Sequence, residues 1–196
     1  MKKVLHSWRG MAIACGLAVF AVAGTASAED PDATKLIAEK SCKMCHAMAK
    51  KGDQWGVLAN GPHAKAFELL KSEEAKAAGA KVGVEDPSTS GKCLKCHSAA
   101  YAFTETQATT EITPEEGVTC QACHGPAADY KSKHGKDVAT AKAELGLITP
   151  TVETCLRCHN DQSPTHKDDR YTTVDGKKVH FDFEQAAKKI AHPKPE

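Results

Sequence analysis

Four copies of one short pattern constrain this chain more than any other feature: two cysteines three positions apart, followed at once by a histidine. The four units are Cys42, Cys45 and His46; Cys93, Cys96 and His97; Cys120, Cys123 and His124; and Cys155, Cys158 and His159. This C-x-x-C-H pattern is the attachment site of c-type haem. Two thiols one helical turn apart bond to the vinyl groups of the porphyrin, and the next imidazole binds the iron. The sequence therefore predicts four covalently bound haem c groups.

The same cysteine spacing also occurs in zinc sites and in redox-active dithiols. Neither alternative explains why a histidine follows every second cysteine. Only 10 of the 196 residues are histidine. The odds that a histidine follows all four cysteine pairs by chance are therefore on the order of 10⁻⁵. Of the nine cysteines, Cys15 lies near the N-terminus and eight lie in the four units. No cysteine is therefore left to form a disulfide in an exported chain.

The N-terminus has the three parts of a secretory signal peptide. Residues 1–9 contain Lys2, Lys3 and Arg9, residues 11–23 are an apolar run, and the small residues 25–28 resemble a cleavage site. The apolar run is too short to span a bilayer well, and no other stretch is long enough. We therefore predict a signal peptide over residues 1–28 and a tetrahaem cytochrome c domain over residues 29–196. The expected location is the periplasm, with the extracellular space as the alternative.

The charge balance limits the partners of the exported chain. Without the signal peptide, 23 basic residues stand against 25 acidic ones, a net charge near −2. The sequence shows neither a basic patch nor a basic tail. This argues against nucleic acid and anionic lipid as partners.

The number of haems predicts an unusual core. Four haems in about 168 residues leave about 42 residues for each, and only 5% of the chain is aromatic. We therefore expect the porphyrins to supply most of the apolar core and the haem-free chain to be largely unfolded. The units begin 51, 27 and 35 residues apart, which is no regular repeat. The prediction is one multihaem cytochrome c domain, mostly α with long loops around a haem-packed core.

Local signals predict several elements of this domain. Helices are expected over residues 33–50 and 63–78, with Gly79 as the stop of the second. Thr113 and Glu116 resemble a capping box before the third unit. A last helix is expected from Asp182 to near His192. The threonine-rich residues 104–110 are expected to form a short β-hairpin arm.

Five histidines outside the units are candidates for the second axial position of the irons: His63, His134, His166, His180 and His192. Four haems need at most four such ligands, so at most one of His166 and His180 is needed. Methionine is nearly excluded, because Met44 lies inside the first unit and Met48 follows His46 on the proximal side. Histidine on both faces gives a lower potential than methionine and histidine together. We therefore predict low-potential haems throughout.

The sequence alone also allows these histidines structural roles that do not involve a metal. His134 lies between lysines in a stretch typical of a solvated loop. His192 precedes Pro193, where a histidine also caps a helix by interacting with its dipole. The residue types alone do not choose between His166 and His180.

Further short stretches accompany the four units. They are Gly61-Pro62-His63-Ala64-Lys65-Ala66, Gly117-Val118, Gly125-Pro126, Ser163-Pro164 and Phe181-Asp182-Phe183, with His134 ten residues after His124. Together these stretches resemble the tetrahaem cytochrome c-554 family, in which the typical member takes electrons from hydroxylamine oxidoreductase. The similarity covers most of the chain after the signal peptide.

The resemblance implies distal roles for three histidines. His134 would serve the first haem, His63 the fourth and His192 the third, opposite His46, His159 and His124 respectively. The second haem of the family has an open or weakly ligated distal face, and here that haem is bound at Cys93, Cys96 and His97. His166 and His180 have no counterpart in the family, which leaves a closed second site as the alternative. The family also implies stacked haem pairs.

Three functions are compatible with these features. The first is an electron carrier between donor and acceptor redox proteins, which is not itself an enzyme. The second is an enzyme that reduces a small nitrogen oxide, such as nitric oxide, at an open second haem. The third is a subunit of an extracellular haem filament, which self-associates when a histidine of one chain ligates a haem of the next. The first is the expectation.

Overall fold

The computed structural model describes residues 30–194, and the signal peptide predicted over residues 1–28 lies outside this range. The α-helices are α1 (Lys40–His46), α2 (Gln54–Asn60), α3 (Ala66–Leu69), α4 (Glu73–Ala80), α5 (Gly91–His97), α6 (Cys120–His124), α7 (Val138–Glu144), α8 (Val152–Leu156) and α9 (Phe183–Ile190). Short 3₁₀ turns cover Ala33–Lys35, Ala49–Lys51, His63–Lys65, Ala99–Tyr101 and Pro114–Glu116. The predicted class, mostly α with long loops, is confirmed. Within residues 30–194, no helix is long and apolar enough to cross a bilayer.

Each C-x-x-C-H unit begins in a helix. In α1, α5 and α6 the helix ends at the histidine of the unit. In the fourth unit α8 ends earlier, but the His159 N–H still donates to the Cys155 carbonyl oxygen at 2.9 Å. Helical geometry therefore places both cysteines and the histidine of every unit within about one turn.

The expected helix over residues 33–50 is wrong, because the chain is interrupted twice. Leu36 is extended and fully buried, so the 3₁₀ turn before it does not run on into α1. After α1, Met48 is extended and Gly52 has a positive φ of 94°. Glycine adopts this conformation without a steric penalty, which allows the chain to reverse before α2.

The expected helix over residues 63–78 is also divided. The Ser72 hydroxyl accepts a hydrogen bond from the Ala75 N–H at 3.1 Å and starts α4 as a new helix. Gly79 lies inside α4 and does not end it. A Cβ on Gly79 would lie 2.9 Å from Pro87 Cγ, so this position is glycine because the following loop packs closely against it.

The expected hairpin at residues 104–110 is wrong, and the sheet lies elsewhere. Strands β1 (Tyr171–Thr172) and β2 (Lys178–Val179) pair antiparallel, with Tyr171 opposite Val179. At residues 104–110 the threonine side chains bond to their own backbone instead. The Thr104 hydroxyl accepts from the Thr106 N–H at 3.3 Å, a local bond that competes with strand pairing.

Two predicted helix starts are confirmed. The Glu116 carboxylate accepts from the Thr113 N–H at 3.0 Å, and the Asp182 carboxylate accepts from the Gln185 N–H at 2.9 Å. The last helix, α9, ends at Ile190, two residues before His192.

The apolar side chains of residues 30–194 form small, separate clusters. One contains Leu36, Ala99, Ala100 and Ile112; a second contains Phe67, Leu70 and Leu94; a third contains Ala127, Tyr130 and Ala141. Four of these ten side chains are alanine, and none of the clusters includes a histidine of the C-x-x-C-H units. The second cluster includes Leu94 of the second unit, and Ala122 of the third unit packs against the first cluster.

Candidate haem-binding sites

Three pairs of histidine rings have the separation that two ligands of one metal require. A metal–imidazole bond is about 2 Å long and the ring centre lies about 1 Å behind the nitrogen, so two imidazoles on opposite sides of one metal have centres about 6 Å apart. The observed separations are 5.8 Å for His46 and His134, 6.1 Å for His63 and His159, and 5.9 Å for His124 and His192. Each pair joins a histidine of a unit to a histidine outside the units. The residues present therefore fit three haem irons.

The first pair is held by side chains from two neighbouring elements. His46 ends α1, and its Nδ1 lies 3.2 Å from Oε1 of Gln54, a buried residue at the start of α2. His134 Nδ1 lies 3.1 Å from the Tyr130 carbonyl oxygen, and the Tyr130 hydroxyl donates to the Gly125 carbonyl oxygen at 2.8 Å. These contacts engage the Nδ1 atoms and leave the Nε2 atoms for a metal, as partners of ligating histidines usually do.

Three of the four histidines in the other two pairs are well buried, whereas His192 is exposed. Burial lowers the pKa of His63, of His124 and of His159, because charged imidazole is poorly solvated there. His124 Nδ1 lies 3.1 Å from the Ile148 carbonyl oxygen, which opposes this effect in part. Only the neutral imidazole binds a metal, so burial favours the form that a ligand needs.

The second unit lacks a corresponding partner. His97 Nδ1 lies 2.7 Å from the Ala66 carbonyl oxygen, so the proximal ring is oriented as in the first and third units. Among residues 30–194, no histidine ring is paired with that of His97. The structure therefore brings together three of the four expected ligand pairs.

His166 and His180 pair with each other. Their ring centres are 3.9 Å apart and the planes differ by 22°, which is a direct stack too close to hold a metal between the rings. Nε2 of His166 lies 2.7 Å from the Asp168 carboxylate, and this hydrogen bond raises the pKa of His166. Nδ1 of His180 lies 3.0 Å from the Lys167 carbonyl oxygen. The two histidines join the β-hairpin to the loop that follows the fourth unit.

Cysteines of different units lie side by side. Glu39, Cys42 and Cys120 have ligand atoms within 4.8 Å of one another, and a hydrogen bond to Cys42 raises the pKa of the Cys120 thiol. Cys158 Sγ donates to the Lys95 carbonyl oxygen at 3.8 Å, and the neighbouring Cys158 lowers the pKa of Cys96 to about 7. The first unit therefore contacts the third, and the second contacts the fourth.

The third and fourth units are also neighbours. Burial and then the nearby Cys155 raise the pKa of the Cys123 thiol. Arg157 Nη2 donates to the Ala122 carbonyl oxygen at 2.6 Å, and its guanidinium lies 4.8 Å from the Phe103 ring. Arg157, which lies between the cysteines of the fourth unit, thus contacts Ala122 between the cysteines of the third unit.

Sequence reasoning missed three buried polar residues around the sites. Gln54 orients His46, and Gln121 accepts from the N–H groups of Ile37 and Ala127 at 3.1 and 3.0 Å. Glu39 is 2% exposed; its Oε1 accepts from the Cys120 N–H at 3.3 Å, and its Oε2 has no partner. No local pattern marks them, since each acts on a residue distant in sequence or on a turn of the chain.

Comparisons with known proteins agree with the geometry. Residues 41–125, which contain the first three units, match the family model described as cytochrome c554 and c-prime. Cytochrome c-554 of Nitrosomonas europaea is 29% identical over 166 residues, which cover 75% of this chain and 67% of that protein.

A solved structure, the reduced state of cytochrome c554 from Nitrosomonas europaea, is 23% identical with a TM-score of 0.45; the match covers 80% of this chain and 78% of that one. The family match and the curated relative confirm the resemblance that the sequence predicted. This chain is therefore similar to the cytochrome c-554 family, and the similarity supports a c-type cytochrome of electron transfer.

Proposed function

We propose that this chain is a periplasmic tetrahaem cytochrome that relays single electrons between a donor and an acceptor redox protein. One observation carries the proposal: three histidine pairs, drawn from positions 68 to 96 residues apart, have the separation of two ligands on one metal. A metal held by histidine on both sides has no free position for a substrate, which suits a carrier. The same ligation favours low potentials.

Each site then has a defined set of residues. The two cysteines of each unit attach one haem, and the histidine of the unit is the proximal ligand. The distal ligands are His134 at the first site, His192 at the third and His63 at the fourth. Bound haem supplies a one-electron iron couple. Burial lowers the pKa of His63, His124 and His159 and so favours their neutral form, and Nδ1 contacts orient His46, His97 and His124.

The contacts between units give the sites a spatial order that differs from their order in the chain. The first unit touches the third at Cys42 and Cys120, and the third lies beside the fourth at Cys123 and Cys155. The fourth touches the second at Cys96 and Cys158. A relay through these contacts runs from the first site through the third and fourth to the second.

A second candidate function is favoured by one observation, the lack of a histidine paired with His97 among the described residues. An iron with an open position can bind a small molecule such as nitric oxide. In this alternative the second site, at the end of the relay, reduces the nitrogen oxide with electrons that arrive through the other three.

Electron paramagnetic resonance of the air-oxidised holoprotein, followed by nitric oxide addition to the reduced form, tests both proposals. We expect three low-spin haems and one haem without a second histidine. Turnover of nitric oxide at that haem would favour the enzyme function over the carrier function. High-spin signals from two or more haems would contradict the ligand pairs and, with them, the carrier.

Export and assembly have separate tests. The signal peptide predicted over residues 1–28 supports export, and a purified holoprotein that begins at Glu29 is the expected result of N-terminal sequencing. The filament alternative needs a histidine that is free to reach another chain, whereas His166 and His180 contact each other. We expect a monodisperse small species in sedimentation at micromolar concentration, and long assemblies would contradict this.

A further inference from the structure

The first site differs from the other three in its exposure. Of the eight attachment cysteines, Cys45 alone is exposed. Met44, between the two cysteines of the same unit, is 72% exposed, far more than an apolar side chain of a packed domain usually is. The edge of the first site is therefore the part of the relay most accessible to another protein.

Lysines surround this exposed edge on both sides. Residues 40–51 and 130–136 contain seven lysines and no acidic residue: Lys40, Lys43, Lys50, Lys51, Lys131, Lys133 and Lys136. The two segments lie on opposite sides of one site, because His46 and His134 come from them and their ring centres are 5.8 Å apart. Six of the seven lysines are exposed, and Lys51 is half-buried.

The positive charge of this lysine rim is not neutralised locally. None of the seven forms an ion pair with another residue of the range 30–194. Of the acidic residues at its borders, Asp129 pairs with Lys35 at 2.7 Å, Glu39 is buried, and Asp53 and Asp137 cap their own helices. This patch is not visible in the sequence, because the overall charge is near balance and the two segments are about 80 residues apart.

The rim has the anatomy of a transient protein interface, with an apolar centre and a charged border. Met44 is the centre, and Val57 of the adjacent α2 is also exposed. Lys43 Nζ lies 5.4 Å from the centre of the Trp55 ring, which holds one lysine of the border in place. Such a surface attracts a partner of opposite charge and accelerates encounter, whereas its small apolar area permits rapid release.

We propose that this lysine rim is the docking surface for an acidic redox protein and that electrons enter or leave the relay at the first site. This rests on the proposed function as an electron carrier. The partner is identified by its chemistry: a small electron-transfer protein with a negatively charged face around its own redox centre.

The test uses the holoprotein and a defined acidic probe. A reduced plant-type [2Fe–2S] ferredoxin has a potential near −400 mV, which makes it a reductant suited to low-potential haems. Stopped-flow absorbance measures the bimolecular rate of haem reduction at increasing ionic strength. We expect the wild-type rate to fall as salt is added, because screening weakens attraction between opposite charges.

Two double variants with the same change in net charge distinguish an effect of the lysine rim from an effect of the overall charge. Lys43→Glu with Lys133→Glu reverses one lysine on each side of the rim and should lower the low-salt rate about tenfold or more. Lys81→Glu with Lys177→Glu changes two exposed lysines outside the rim and should alter the rate by less than about twofold. Equal loss in both variants would assign the effect to net charge and overturn the proposal.

Other outcomes overturn the docking surface without touching the carrier function. A wild-type rate that rises with salt, or no reduction by ferredoxin while neutral reduced lumiflavin still reduces the haems, would do so. Capture of the protein by phosphatidylserine vesicles, together with a ferredoxin rate independent of salt, would assign the lysines to a membrane surface instead. Failure of both ferredoxin and lumiflavin to reduce any haem would contradict the carrier function itself.

Discussion

At the scale of single residues, hydrogen bonds to Nδ1 decide what each histidine can do. In His46, His97 and His124 this atom contacts a carbonyl or amide oxygen. An oxygen acceptor requires the hydrogen to sit on Nδ1, so the lone pair of Nε2 is free for iron. His166 is different, since both of its ring nitrogens have partners. The same residue type is therefore prepared for ligation at some positions and for a structural role at others.

Replacing a proposed distal ligand should change one haem only. In His134→Ala we expect the first haem to lose its second histidine, so that the low-spin signal falls by about one haem and a high-spin signal of equal weight appears. Electron paramagnetic resonance of the oxidised protein measures both. His166→Ala is the matched control and should leave the spin states unchanged. A low-spin signal of unchanged weight in His134→Ala would remove His134 from the ligand set.

Glu39 should tune the first and third sites. Its carboxylate is buried beside Cys42 and Cys120, and one of its oxygens has no partner. In Glu39→Gln we expect both haem potentials to rise by roughly 50–100 mV, the size of a Coulomb interaction of about 1–2 kcal/mol. A spectroelectrochemical titration measures the potentials. Exposed Glu74→Gln, on α4, is the control; equal shifts in both variants, or none in Glu39→Gln, would contradict this role.

Acid should detach the buried histidines cooperatively with unfolding. Burial holds the pKa of His63, His124 and His159 below the usual value near 6.5. The unfolded chain then binds protons that the folded chain does not, so the free energy of unfolding decreases as pH falls below about 6.5. We expect the denaturant concentration at the midpoint of unfolding to be constant between about pH 7 and 8. It should decrease as the pH falls below about 6.5. Midpoints that rise on acidification would contradict the sign.

At the scale of elements, the β-hairpin serves the fourth site and not the second. Phe181, which follows β2, stacks on His159 with ring centres 5.1 Å apart, and Tyr171 of β1 contacts Phe181 edge-on at 6.1 Å. The ring of His180 stacks on His166 instead. The hairpin thus covers the proximal side of the fourth unit.

Substitutions in the hairpin should separate these roles. Phe181→Ala is expected to perturb the spectrum of the fourth haem, because it removes the aromatic contact to the proximal ring. His180→Ala should leave the ligation of the second haem unchanged, since His180 stacks on His166. Magnetic circular dichroism of the oxidised protein distinguishes the two outcomes. Conversion of the second haem to high-spin in His180→Ala would show that this histidine does reach His97.

At the scale of the whole molecule, the small apolar clusters leave the fold dependent on its cofactors. They are separate, rich in alanine and do not surround the histidine pairs. We therefore expect cofactor binding and folding to be coupled, as in small metal-dependent domains.

The chain produced without haem attachment should be largely unfolded. We expect a far-ultraviolet circular dichroism spectrum with little helix and no cooperative thermal transition, whereas the holoprotein should melt cooperatively. The holoprotein measured in the same buffer is the control. A cooperative transition in the haem-free chain would show that the three clusters are a sufficient core.

The sequence by itself determined the features that depend on neighbours along the chain. The attachment pattern needs only two cysteines and a histidine within about one helical turn, and the caps at Thr113 and Asp182 need only residues three positions away. The resemblance to the cytochrome c-554 family predicted which histidines pair. Helix ends were predicted less well, because burial of Leu36 and capping by Ser72 interrupted stretches of good helix-forming residues.

Tertiary structure alone decided what joins distant parts of the chain. It brought the first unit against the third and the second against the fourth, stacked His166 on His180, and collected two lysine segments around one site. These contacts link residues far apart in sequence, and no local pattern encodes which distant segments will meet. Local chemistry thus specifies the haem-attachment pattern, whereas long-range packing specifies which units meet and where the proposed docking surface lies.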